Sequence, residues 1–96
     1  MSKVFIINKS AHNFNATKQF GKAIYLSEGL MSRYATTNMH RQFGSKMKKS
    51  KPEDYIVLCS LNVMNAIACS IFVKKHGTLN LLLYKKGSYV ERNLVI

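Results

Sequence analysis

The chain gathers its apolar residues into short blocks separated by polar and charged turns. Lys3 to Asn8, KVFIIN, is β-branched and aromatic without alternation, the pattern of a strand covered on both faces. It runs into the turn-prone Asn8-Lys9-Ser10. Residues 9 to 21 mix polar turn formers with Phe14 and Phe20, which reads as a loop with a short helical turn, pinned to the core by its two aromatics. Lys22 to Ser27, KAIYLS, reads as a second strand closed by Glu28-Gly29.

The period then changes. Met39, Phe43 and Met47 recur every four residues along one face, and Thr36 and Thr37 offer side-chain oxygens to cap the start of a helix. A helix from Thr37 to Lys49 follows, with Lys46, Lys48 and Lys49 complementing the exposed carbonyls of its last turn and Pro52 preventing continuation. Tyr55 to Cys59, YIVLC, repeats the buried-strand pattern. Ser60-Leu61-Asn62 breaks it, with Asn62 the expected cap of a second helix that runs to Lys75 and is stopped by His76-Gly77. Leu79 to Tyr84 is a further strand, Lys85 to Ser88 a turn, and Tyr89 to Ile96 returns antiparallel to complete a hairpin. These elements predict an α/β fold, a small single-domain mixed β-sheet of four to five strands packed with two main helices. It contains a right-handed βαβ unit between Tyr55 and Tyr84 and a C-terminal β-hairpin.

One segment competes with that reading. Ile56 to Val73 carries no charge over eighteen residues, a length that permits a membrane span. Ser60 and Asn62 break it in the middle, however, and the helical part after the break is too short to cross a bilayer. A buried strand followed by a core helix is the expectation, with no membrane partner. The apolar run near Met1 is too short for a signal-peptide core, so a cytoplasmic location is the expectation. Cys59 and Cys69 lack the spacing of a metal or redox pair and read as two packed, reduced thiols.

Charge alters the picture more than composition does. Fifteen Lys and Arg against four acids give a net charge of +11, a positive field that favours polyanionic partners, nucleic acid first among them. The densest group is Arg33, Arg41, Lys46, Lys48, Lys49 and Lys51, in which Arg41 and Lys48 share a face opposite the Met39-Phe43-Met47 stripe. Tyr25, Tyr34, Tyr84 and Tyr89 are candidates for stacking on bases, although no nucleic-acid motif frames them. The scarcity of acids disfavours a two-metal nuclease or polymerase, which needs clustered carboxylates. No Walker, dinucleotide or zinc-protease motif occurs, and neither a cofactor nor a catalytic set is assigned.

A second site is legible from topology. Ligands of open parallel sheets bind beyond the carboxyl ends of the strands, and if the first and third strands are parallel neighbours their ends open onto one edge. There the sequence offers Lys9, Ser10 and His12 after the first strand, and Ser60, Asn62 and Asn65 around the start of the second helix, whose backbone N–H groups suit an anion. A structural use competes here: Ser60 and Asn62 as caps, Asn65 bonded to neighbouring backbone. In layout, KVFIIN ending in a polar loop and CSLNVMN opening a helix resemble small viral proteins and sensor domains that bind cyclic oligonucleotides, some of which cleave them without a metal.

Three functional classes follow. The leading expectation is a non-enzymatic binding protein, an accessory factor of a virus or mobile element, whose basic face engages nucleic acid or an acidic protein surface. A nucleotide or cyclic-oligonucleotide binder, with a metal-independent phosphodiesterase as its enzymatic variant, is the second. The third is a structural or inhibitory interaction module, forming a homodimer through the strand Tyr89 to Ile96.

Overall fold

A computed structural model describes residues 2–10 and 12–96. Five strands, β1 (Lys3–Ile6), β2 (Lys22–Tyr25), β3 (Tyr55–Val57), β4 (Thr78–Lys85) and β5 (Ser88–Val95), form one sheet in the order β2-β1-β3-β4-β5. The first four are parallel and β5 is antiparallel to β4. Two α-helices, α1 (Thr36–Lys46) and α2 (Asn62–His76), pack on the sheet and on each other. A 3-10 turn, Asn15–Thr17, interrupts the loop between β1 and β2. The mixed α/β sheet with a βαβ unit and a terminal hairpin is the fold the sequence predicts.

The chain steps from β1 outward to β2, then back past β1 to β3 and onward to β4. Right-handed crossovers put connections that travel in opposite directions on opposite faces of a sheet. The layers obey this. Phe5, Ile7 and Ile56 meet Met39 and Phe43 of α1, Met47 just beyond it, and Met64, Ala68 and Phe72 of α2 on one face. Val4, Ile6, Val57 and Leu82 are covered on the other by Phe14, Ala16 and Phe20 of the β1–β2 loop. Four consecutive residues, Val4 to Ile7, are therefore buried to 1% exposure or less, which explains an apolar run without alternation.

The boundaries differ from the sequence reading at the element ends. β1, β2 and β3 stop before Asn8, Ser27 and Cys59, although Ile7 N–H still donates to Val57 O at 3.2 Å and Leu26 N–H to Ile6 O at 2.9 Å. Thr36 and Thr37 do not cap α1. Ala35 occupies the cap position without a side-chain bond, so both threonines lie inside the first turn. The helix ends at Lys46 and not at Lys49, because Met47 leaves helical geometry and Ser50 N–H turns back onto Met47 O at 3.0 Å. Lys48 consequently lies beyond the helix and does not extend the Arg41 face. Asn62 likewise is the first residue of α2 and not its cap. Leu61, extended at φ −92° and ψ 108°, holds that position with no side-chain bond. Gly77 does stop α2: at φ 69° it adopts the left-handed conformation and donates to Val73 O at 2.8 Å.

Asp54, just before β3, anchors the amino-terminal edge of the sheet. Its buried carboxylate accepts from the backbone N–H of Lys3 and of Lys51, both at 2.8 Å. This acid serves structure, at the end of β3 remote from the cavity described next.

Candidate functional site

Strand order reverses between β1 and β3, and at their carboxyl ends lies a cavity of about 760 Å³. Such a reversal separates two neighbouring connections and leaves a crevice between them. Lys9, Ser10 and His12 enter it from the loop after β1, Leu58 to Leu61 from the turn after β3, and Gly29 to Met31 from the turn after β2. Tyr84 and Tyr89 close the side toward the hairpin. The walls are chiefly apolar, and no acidic side chain lines them among the described residues.

Local bonds fix the polar members. Lys9 N–H donates to Ser27 O at 2.9 Å, and its ammonium lies 5.5 Å from the centre of the Tyr25 ring, a cation–π distance. Ser10 Oγ accepts from His12 N–H at 3.2 Å, so the serine shapes the loop that presents the histidine. His12 Nε2 is 3.2 Å from the Tyr89 hydroxyl, and the imidazole stands edge to face against Tyr84 at 4.6 Å and Phe14 at 4.9 Å. Burial, and after it the neighbouring Tyr84, pushes the Tyr89 hydroxyl pKa up, so this hydroxyl stays protonated and can donate to the imidazole. Tyr84 itself is half exposed and presents ring surface to the cavity.

Of the six residues expected at this edge, Lys9, Ser10, His12 and Ser60 converge on the cavity. Asn62 is exposed and outside the lining, while Asn65 has the structural use. Its Oδ1 accepts from Cys59 N–H and its Nδ2 donates to Cys59 O, each at 2.9 Å, which holds the chain at the β3–α2 turn. The α2 start opens nearby without an acid in its first turn. Cys59 and Cys69 are free and half-buried, with thiol pKa values pushed up by burial, as suits packed and unreactive sulfur.

Sequence reasoning had the two tyrosines as base stackers but did not place them with His12. The register of the folded sheet is what brings them there. Val57, last residue of β3, pairs with Leu82, so Tyr84 and its cross-strand partner Tyr89 project just past the end of β3 on the face covered by the β1–β2 loop. Phe14, Leu30, Met31 and Leu58 were missed as lining residues, because nothing in a single sequence distinguishes a cavity wall from a core contact.

The densest basic group lies elsewhere. Arg33, Arg41, Lys46, Lys48, Lys49 and Lys51 are all exposed, and none enters the cavity. Arg41 borders a shallow polar depression with Ser32, Asn38 and Ser45. Two other lysines serve the end of α1: Lys75 Nζ donates to the carbonyls of Met47 and Lys48, and Lys3 Nζ to that of Lys49 at 3.2 Å. Tyr34 is exposed, whereas Tyr25 is partly buried beneath Lys9.

Fold and cavity together define a small open-sheet α/β protein with a crevice at its strand-order reversal. The family model described as phage Pam3 gp32-like protein matches residues 2–96, and the chain belongs to that family. No curated protein and no solved structure matches the chain. The phage name of the family fits the expectation of a viral origin. Among the described residues no helix is long and apolar enough to cross a membrane.

Proposed function

We propose that this phage-family protein is a ligand-binding accessory factor whose crevice takes a nucleotide or short oligonucleotide. The observation that carries the reading is the convergence of Lys9, Ser10, His12 and Ser60 with the Tyr84 ring in one cavity of about 760 Å³ at the sheet's strand-order reversal. A nucleotide needs both surfaces: cationic and hydroxyl donors for phosphate, and an aromatic or apolar wall for the base. His12 stands as a donor to phosphate. Its neighbour at 3.2 Å is the Tyr89 hydroxyl, which burial keeps protonated, and among the described residues no carboxylate lines the crevice to act as a base, so the reading is binding.

Thermal denaturation in the presence of mononucleotides, cyclic dinucleotides and short oligoadenylates tests it. A ligand present at about a hundred times its dissociation constant adds about 2.7 kcal/mol of stability. Tyr84→Ala and Lys9→Ala are expected to abolish the shift while leaving the free protein folded. No shift with any of these compounds would count against the reading.

The exposed basic group favours a second one, nucleic acid laid along α1. What supports it is that α1 has no acid in its first turn and exposes Arg41 and Lys46, and that the chain continues into exposed Lys48, Lys49 and Lys51. Binding of this kind falls linearly with the logarithm of salt concentration. A mobility shift that persists in Tyr84→Ala but is lost in Arg41→Ala/Lys46→Ala/Lys48→Ala would assign nucleic acid to α1 and not to the crevice.

A further inference from the structure

The sheet ends at β5 in an eight-residue strand whose outer edge has no neighbour among the described residues. Ile96 N–H donates to Gly77 O at 3.0 Å, which fixes the phase of the β4–β5 ladder. In an antiparallel pair, directly opposed residues alternate between bonded and non-bonded. Residues 88, 90, 92 and 94 therefore spend their backbone groups on β4, while Tyr89, Glu91, Asn93 and Val95 turn theirs outward. Arg92 bears this out, since its guanidinium reaches round to the Glu91 carbonyl at 2.8 Å. The pairing runs from Thr78 with Val95 to Lys85 with Ser88 without a bulge, and the strand contains no proline. Most devices that protect a sheet edge are thus missing.

The face beside this edge is apolar as well. Leu83, Val90 and Leu94 continue the row begun by Leu79 and Leu81, but lie outside the core that the helices cover, with Leu83 and Leu94 exposed. Electrostatics selects the occupant. A net charge of +11 makes most approaches between copies repulsive, yet Ser88 to Ile96 holds one acid and one base, Glu91 and Arg92, and is neutral.

We propose that β5 is the seam of a homodimer, in which two copies pair antiparallel about a two-fold axis normal to the sheet. The sequence also disfavours some registers, and the one centred on Asn93 keeps the longest bonded ladder among the rest. A pairing centred on Glu91 or on Arg92 opposes like charges, which is destabilising. Centred on Asn93, it sets Asn93 against its own copy, Arg92 against Leu94 and Val90 against Ile96, and joins the two apolar rows. Arg92 must release the Glu91 carbonyl, which then accepts from the Val95 N–H of the second copy. The paired residues 90 to 96 do not line the nucleotide crevice, although Leu83 of the adjoining row does, and the dimer is tested by sedimentation without any nucleotide.

Sedimentation equilibrium over about 5 to 300 µM protein is expected to show a reversible dimer, lost in Val95→Pro, whose missing N–H faces outward, and strengthened in Arg92→Ser. Asn93→Cys should form an interchain disulfide under mild oxidation, since a bonded antiparallel pair sets Cα atoms about 5.5 Å apart, within disulfide reach. Wild-type protein, whose half-buried Cys59 and Cys69 lie outside β5, should not. A wild-type chain that stays monomeric throughout overturns the proposal. Crosslinking through Glu91→Cys in place of Asn93→Cys overturns the register.

Discussion

At the scale of single residues, Asn65 shows how a polar side chain in an apolar helix can be structural. Both of its amide groups are spent on Cys59, and removing them leaves a partly buried N–H and C=O without partners. Asn65→Ala should therefore lower unfolding free energy by about 2 to 4 kcal/mol, read as a fall in the urea midpoint at unchanged slope. The β3–α2 turn walls the crevice, so ligand affinity should fall with it. His76 gives a pH-dependent test. Burial, and then Lys75, lowers its pKa against the weaker opposing pull of Asp54 and Glu53, and its Nε2 lies 2.9 Å from Ser50 Oγ. With the folded pKa below the unfolded value of 6.5, the unfolded chain binds the proton first. The contribution to stability is thus full above that value and lost as pH falls through the window beneath it. Urea midpoints measured from pH 7.5 down to 5.5 should decline, and His76→Gln should flatten the decline.

At the scale of elements, the apolar pattern was a good guide to which elements exist and a poor one to where they end. The run Val4 to Ile7 announced a strand buried on both faces, and Met39, Phe43 and Met47 announced a helix face, because burial imposes those periods directly. Caps were misread for a different reason. Thr36, Thr37 and Asn62 are good capping residues, but the cap positions fall earlier, at Ala35 and Leu61, and Leu61 packs against the core there. The hairpin turn carries its own prediction. Lys86 and Gly87 both have positive φ, 49° and 87°, as a two-residue type I′ turn requires. Lysine is strained there and asparagine is not, so Lys86→Asn should raise stability by up to about 1 kcal/mol in thermal or chemical denaturation.

For the molecule as a whole, the decisive event is the reversal of strand order, and sequence reached it only conditionally. The spacing of elements supplied β1 and β3 as candidate neighbours, and with that one adjacency Lys9, Ser10, His12 and Ser60 fell together. The aromatic wall did not, because Tyr84 and Tyr89 reach the crevice through the β3–β4 register, which depends on side chains far apart in the chain. Net charge worked the other way. It was legible at once, but its distribution emerged only from the fold, with the dense group outside the crevice and a neutral stretch along β5.

The cover of the second face is a loop, and across residues 14 to 20 its backbone bonds are internal: Thr17 to Phe14, Lys18 to Asn15, Phe20 to Thr17. Beyond the Lys9 backbone bond to Ser27, side chains tie the described part of the loop to the sheet, above all Phe14, Phe20 and the His12–Tyr89 contact. Such a segment is the first to open in native-state hydrogen exchange, well below the free energy of global unfolding. His12 and Phe14 belong both to that segment and to the crevice wall, so whatever fills the crevice also clamps the loop. Exchange at the amides of residues 14 to 20 should slow when ligand binds while the amides of β1 and β3 stay unchanged, turning the least protected part of the protein into a reporter of occupancy.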